Sequence, residues 1–189
     1  MQVIKNLFFD TNAILKIFLD EPGHEVVKWL CKPETRVELP IMIDTSIHVQ
    51  QEFYNVINRK SQNGNLTPEK AEKIKYLSKF YFKEVFRICD DNKKPLIDEK
   101  RQMNEIIVID KYNLKPDKDI GDAKILSCVM NYLYFLGGLS KPHIVTSDKK
   151  FQKIIFAEGY GIIDPEKLNE NEIKVLLKNV DVKLTIYSQ

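Results

Sequence analysis

Four short stretches of this chain each set a carboxylate where one is costly to leave alone. In NLFFDTNAI the apolar run Leu7-Phe8-Phe9 stops at Asp10. In VQQEFYNV, Glu52 lies three residues after Val49 and four before Val56. That spacing puts the acid on or beside the apolar stripe of a helix. In DIGDAKIL, Asp122 stands in a first helical turn beside Ala123, Ile125 and Leu126, and in IVTSDKKF, Asp148 follows the apolar run Ile144-Val145-Thr146. If the four converge, they repel one another and some take up protons. A hard divalent cation removes that conflict, because Mg²⁺ takes oxygen ligands and binds through a few carboxylates plus substrate phosphate. No histidine or cysteine constellation competes for zinc. An all-oxygen acidic site suggests metal-assisted phosphodiester hydrolysis, in which the ion acidifies an attacking water and stabilises the phosphate and the leaving oxyanion.

Each acid alone also has an ordinary structural account. Asp10 and Asp148 suit the N-caps of the helices that follow them. Asp122 complements the positive end of its helix. Glu52 is the hardest to explain this way, since an unpaired charge near an apolar stripe is expensive to bury; Arg59 or a lysine is its ordinary partner. The chemical reading rests on the four together.

The elements that must position them follow from apolar patterning. Val3 to Phe9 reads as a strand buried on both faces of a parallel sheet. Helical spacing runs over Asn12 to Leu19 and His24 to Cys31. Val37 to Ile43 reads as extended chain broken by Pro40, and Asp44-Thr45-Ser46 offers caps for a helix to about Lys60. After a turn at Gln62 to Asn65, Thr67-Pro68 starts a helix reaching toward Cys89. Asp90 to Asn104 is polar with at most a short helix, and Ile106 to Ile109 suggests a short buried strand. Asp122 to Leu136 is a helix stopped by Gly137-Gly138. Ile144 to Thr146 and Gly161 to Ile163 read as strands, Lys149 to Ala157 and Pro165 to Lys178 as helices. Val180, Val182, Leu184 and Ile186 alternate like a half-exposed strand. Strands alternating with helices give an α/β fold with a central, mostly parallel sheet, in which Asp10 and Asp148 close two strands at the edge where such sheets bind ligands.

Composition sets the outer bounds. With 189 residues, 43% hydrophobic and 30% charged, the chain is globular and fits one domain over 1–189. The segment from about Gly64 to Asn104 is a helical insertion within it. A net charge of +2 argues against a globally basic nucleic-acid binder but not against a local basic rim. No run approaches a membrane span, the first residues lack the pattern of a signal peptide, and Cys31, Cys89 and Cys128 have no metal or disulfide spacing. A cytoplasmic protein with buried thiols is expected.

In these four places the sequence resembles the PIN-domain nucleases. The family pattern is an apolar strand ending in Asp-Thr-Asn, a Glu within a later helix, an Asp-Ala helix start, and a strand ending Thr-x-Asp with Phe three residues on. Here these are FFDTNAI, QQEFYNVINR, IGDAKIL and IVTSDKKF with Phe151, and GYGIIDPEKL matches the usual ending. The resemblance covers residues 1 to about 168. It implies a three-layer α/β/α sandwich and an endoribonuclease using Mg²⁺ or Mn²⁺. It implies Asp10, Glu52, Asp122 and Asp148 as catalytic metal ligands, oriented by Asn12 and Thr146. Many compact members are toxins of toxin–antitoxin pairs and dimerise, which implies RNA as substrate, a protein antitoxin and a homodimer as partners; this chain is longer than that compact form. Asp119 is expected to cap its helix. Lys149 and Lys150 offer either phosphate contacts or a solvated helix start.

Between Arg59 and Arg101 there are 12 Lys/Arg against 7 Asp/Glu, with Tyr76, Phe80, Tyr81, Phe82 and Phe86 interleaved. That combination suits an RNA clamp, or an amphipathic helix packed on the core. Two other functions stay open beside the ribonuclease: a catalytically inactive PIN-like module binding RNA or protein, and a structure-specific DNA nuclease.

Overall fold

A computed structural model describes residues 4–90, 95–115, 119–135 and 141–178. Strand β1 (Lys5–Phe9) is the centre of a five-stranded sheet in the order β3-β2-β1-β4-β5, every pairing parallel. The other strands are β2 (Ile41–Ser46), β3 (Arg87–Cys89), β4 (His143–Val145) and β5 (Gly161–Ile163). Leu7, Phe8 and Phe9 have no exposed surface. A strand apolar on both sides can only sit inside a sheet covered on both faces, and the flanking helices supply that cover.

The order of the strands decides where a site can form. From β1 the chain moves outward through β2 to β3, then returns to the other flank of β1 for β4 and β5. The reversal falls between β1 and β4, and the crevice at such a switch point opens at the carboxyl ends of the strands. Register aligns Phe9 with Val145, so Asp10 and Thr146 leave the sheet side by side.

Helices α1 (Thr11–Phe18), α2 (His24–Cys31), α3 (Pro33–Glu38) and α4 (Ile47–Gln62) link the first two strands and lead out of β2. Helix α4 is anchored by Val49, Phe53 and Ile57, all without exposed surface. The Phe53 ring meets Phe18 at 5.5 Å and Phe82 at 5.5 Å. Those contacts hold Glu52, one residue away, at a fixed height above the sheet. Helix α5 (Pro68–Phe80) passes through a π-helical turn, Tyr81–Val85, directly into β3. Helices α6 (Pro95–Tyr112), α7 (Ile120–Phe135), α8 (Lys149–Ala157) and α9 (Glu170–Lys178) complete the described elements. No helix among the described residues is long and apolar enough to cross a membrane.

Several expectations are corrected. Val37 and Glu38 end helix α3 and the strand starts only at Ile41. Asp44 and Thr45 belong to β2, and Ser46 alone caps α4 through Val49 N–H. The chain over 87–89 is the edge strand, not the end of a helix. Ile106 to Ile109 lies within the 18-residue α6 instead of forming a strand. Asp90 to Asn104 therefore contains a substantial part of a helix. Helix α9 begins at Glu170, five residues later than expected. The stop at Gly137-Gly138 and the strand over 180–186 lie outside the described residues. Most of the interleaved aromatics pack inward: Phe82 and Phe86 are buried and Tyr81 lies against the core, leaving Tyr76 and Phe80 exposed.

Candidate metal centre

Asp10 caps α1 and does more than cap it. Its Oδ1 accepts the Ala13 N–H at 2.7 Å, while its Oδ2 accepts a short hydrogen bond from the Thr146 hydroxyl at the end of β4. Thr146 Oγ1 in turn accepts the Asp148 N–H at 3.1 Å. One threonine thus ties the ends of the two central strands together at the switch point. The Asp148 carboxylate caps α8 with Oδ1, accepting Lys150 N–H at 2.8 Å and Phe151 N–H at 2.9 Å. The capping role expected of both aspartates holds, and it orients them: a carboxylate pinned by the first turn of a helix at a strand end has little rotational freedom left.

Glu52 arrives from α4, 41 residues along the chain from its partner Thr11, whose hydroxyl donates to Oε2 at 2.5 Å. Among the described residues neither Arg59 nor a lysine pairs with it. Across from it, α7 presents Gly121, where an added Cβ would stand 3.5 Å from Glu52 Oε1. Asp122 follows in the same turn and accepts no hydrogen bond from the described residues. Asn12 is exposed and bonds to none of them. The hydroxyls of Thr11 and Thr146 do the orienting, and only Thr146 is legible in advance. The signal for Thr11 is a buried hydroxyl flanking Asp10 in the first helical turn, yet nothing in the sequence points it at Glu52.

Asp10 and Asp122 each feel the charges of Glu52 and Asp148. Burial pushes the Asp10 carboxyl up to about 7; the Thr146 and Ala13 hydrogen bonds oppose this, and the nearby Glu52 and Asp148 charges add to it. Burial likewise lifts Asp122 to about 7, followed by repulsion from Asp148, Glu52 and Asp119. The lysines after Asp148 give this cluster little neutralisation. Lys149 pairs with the buried Asp164 at the end of β5, and Lys150 pairs with Asp119 at 2.6 Å. Both lysines are exposed at the helix start, as one of the two expectations had it. Asp119 also accepts the Lys115 N–H at 2.9 Å, and the Lys150 hydrogen bond holds its carboxyl below the usual range.

Among the described residues no three acidic, imidazole or thiol groups stand close enough to hold one ion by themselves. Mg²⁺ needs no such trio, since it binds through one or two carboxylates and keeps several waters. The donor set fits a hard divalent cation: it is all oxygen, and burial raises the pKa of two of its carboxyls, with neighbouring acids adding to the effect.

Thr146 is the joint on which this arrangement turns. Replacing it with valine leaves Asp10 Oδ2 and the Asp148 N–H without their partner, so Thr146→Val should cost about 1–3 kcal/mol in urea unfolding. Thr146→Ser, which keeps the hydroxyl, should lose clearly less. Equal losses in the two variants would mean that the methyl group, and not the hydrogen bonds, carries the role.

A model of the PIN domain matches residues 7–157. No curated protein sequence matches the chain. Among solved structures, VapBC2 from Rickettsia felis, bound to a DNA fragment from its promoter, is similar at 15% identity and TM-score 0.52 over 84% of this chain and 97% of that one. PAE2754 from Pyrobaculum aerophilum gives 18% identity and TM-score 0.52 over 93% and 98% of the two chains. VapC20 from Mycobacterium tuberculosis, a sarcin-ricin loop cleaving toxin, gives 16% and 0.50 over 82% and 95%. The matched span runs from β1 to the last turn of α8 and contains all four acids and both orienting threonines, and the chain therefore belongs to the PIN-domain nuclease family.

Proposed function

We propose that this protein is a metal-dependent endoribonuclease, with Asp10, Glu52, Asp122 and Asp148 holding Mg²⁺ or Mn²⁺ directly or through water. The observation that carries this reading is the run of contacts at the switch point of the sheet: Thr146 joins Asp10 to Asp148, Thr11, next to Asp10, holds Glu52, and Glu52 lies against Gly121, next to Asp122. The bound ion would supply an acidified water and neutralise charge at the phosphate. The chain's own groups do the positioning. Thr146 and the Ala13 amide fix the plane of the Asp10 carboxylate, Thr11 fixes Glu52, and the α8 amides fix Asp148. Each is held before substrate arrives, which is what preorganisation requires.

We read the chain as one PIN-like domain over 1–189, with about 64–104 as an elaboration that contributes β3 and the start of α6 to the fold. The VapBC2 and VapC20 likenesses support a toxin of a toxin–antitoxin pair with a protein antitoxin; a homodimer and a cytoplasmic setting complete the proposal. A second reading has one observation in its favour. Among the described residues no group of three acids is placed to hold an ion by itself, as expected of an inactive module that binds RNA or protein.

Incubation of the purified protein with single-stranded RNA, hairpin RNA and structured DNA decides between them. The nuclease yields fragments with Mn²⁺ or Mg²⁺ and none with a chelator. RNA bound but left whole with either ion supports the module, and cleavage confined to structured DNA supports the DNA nuclease.

A further inference from the structure

Beside the acids, α4 and α7 enclose a cavity of about 320 Å³, most of whose lining lies outside the four carboxylates. Its α4 wall is one helical face, His48, Gln51, Glu52 and Asn55, at the spacing that brings side chains into a row. The α7 wall contains Gly121, Asp122 and Lys124, with Ile120 and Ile125 giving apolar surface. Glu52 and Asp122 therefore belong to both the cavity and the acidic cluster, and anything seated here lies next to the scissile phosphate.

Each wall group matches one need of a nucleotide. Gln51 and Asn55 are exposed amides that bond to no described residue, and each offers a donor and an acceptor side by side. That pattern reads a base edge in a paired fashion. The His48 ring is a flat platform of the kind on which unpaired bases stack. Its Nε2 is buried with no partner among the described residues. Burial, with the Arg101 and Lys124 charges, holds the ring's pKa below its usual value, while Glu105 and Asp98 oppose this. Lys124 is the cation of the cavity, suited to a phosphate. The volume is at the low end for ligand pockets, about 300–1,000 Å³, which suits a single nucleotide and not a helix or a long strand.

We infer that this cavity seats one unpaired nucleobase flanking the scissile phosphate, read by Gln51 and Asn55 and stacked on His48, with Lys124 on the adjoining phosphate. The cavity is then the specificity pocket of the nuclease, and the inference rests on the ribonuclease reading. It selects single-stranded or loop RNA, because a paired base cannot enter.

The test uses full-length Asp10→Asn protein, which binds without cutting, and fluorescence anisotropy with RNA octamers alternating uridine with each of the four nucleotides in turn. One octamer should bind at least about tenfold more tightly than the weakest, a difference of about 1.4 kcal/mol. Adding Gln51→Ala and Asn55→Ala, both exposed and hence tolerated by the fold, should bring the ratio to about twofold or less while the weak octamers are unaffected. Lys124→Ala should weaken all four alike and lower the salt slope by about one. Equal binding of the four octamers, or a preference that survives the double amide variant, overturns the inference. The two readings fail separately. Wild-type cleavage with an unaltered preference in the amide variants removes the pocket alone. Amide-dependent binding without wild-type cleavage removes the nuclease alone.

Discussion

Asp10→Asn should abolish RNA cleavage, by at least about a hundredfold, while RNA binding and the fold persist. The network around Asp10 explains why the loss should be this clean. An asparagine keeps Oδ1 to accept the Ala13 N–H, and its amide nitrogen donates to Thr146 Oγ1 in place of the carboxylate that accepts from it. Thr146 has a second lone pair for the Asp148 N–H, so α1, α8 and the switch point stay tied. What disappears is one charge and one anionic oxygen donor. Without metal, and above the Asp10 value of about 7, the variant should be no less heat-stable than the wild type, because a buried charge has been replaced by a neutral isostere. Steady-state cleavage with thermal melting on the same preparation reads both. Cleavage within about tenfold of wild type would show that Asp10 serves only as a cap.

The second large effect is on stability. Asp10 and Asp122 both titrate near 7 in the folded chain, against an ordinary value of 3.8. Between those limits the folded state holds protons that the unfolded state has released. Raising the pH through this window therefore destabilises the metal-free protein, and the penalty is complete only above about 7. Each carboxyl contributes on the order of 2–4 kcal/mol, and the two are coupled through the same neighbours. Melting temperature should fall by several degrees from about pH 5.5 to about pH 8, at about 2–4 °C per kcal/mol for a chain of this size. Millimolar Mn²⁺ should reverse that fall. A cation binding only the folded state at about a hundred times its Kd adds about 2.7 kcal/mol. Because it competes with protons for the same oxygens, its effect should be large at about pH 8 and small at about pH 5.5. A melting temperature indifferent to Mn²⁺ at the higher pH would remove the functional metal pocket.

How much of this could be read from the sequence depends on whether the cause was local. The first strand, the capping of α1 and α8, and the Asp10 and Asp148 strand ends follow from neighbouring residues. Elements governed by distant partners did not follow. Ile106-Ile107-Val108-Ile109 has the β-branched density of a strand, yet only Val108 is fully buried and Ile106 and Ile107 are exposed on α6; a short apolar run carries no period to separate the two forms. The edge strand β3 is three residues long and is placed by its register with β2, which no local pattern encodes. Asp44 reads as a cap, but it is buried in β2 and paired with Arg87 at 2.6 Å, 43 residues on. The Thr11–Glu52 bond and the pairing of Lys149 with Asp164 were hidden for the same reason. The acids themselves were legible as types in order, while the hydroxyls and lysines that set their direction and charge were not.

In the proposed site, oxygens from the end of β1, α4, α7 and the end of β4 surround a divalent ion. A crystal of the wild-type protein soaked in Mn²⁺, with anomalous scattering recorded at the manganese edge, tests it most directly. A peak is expected at the switch point, bonded to Asp10 or Asp148 at about 2.0–2.3 Å with Glu52 and Asp122 reached directly or through one water. A clean anomalous map there, or manganese bound only elsewhere on the surface, would contradict it.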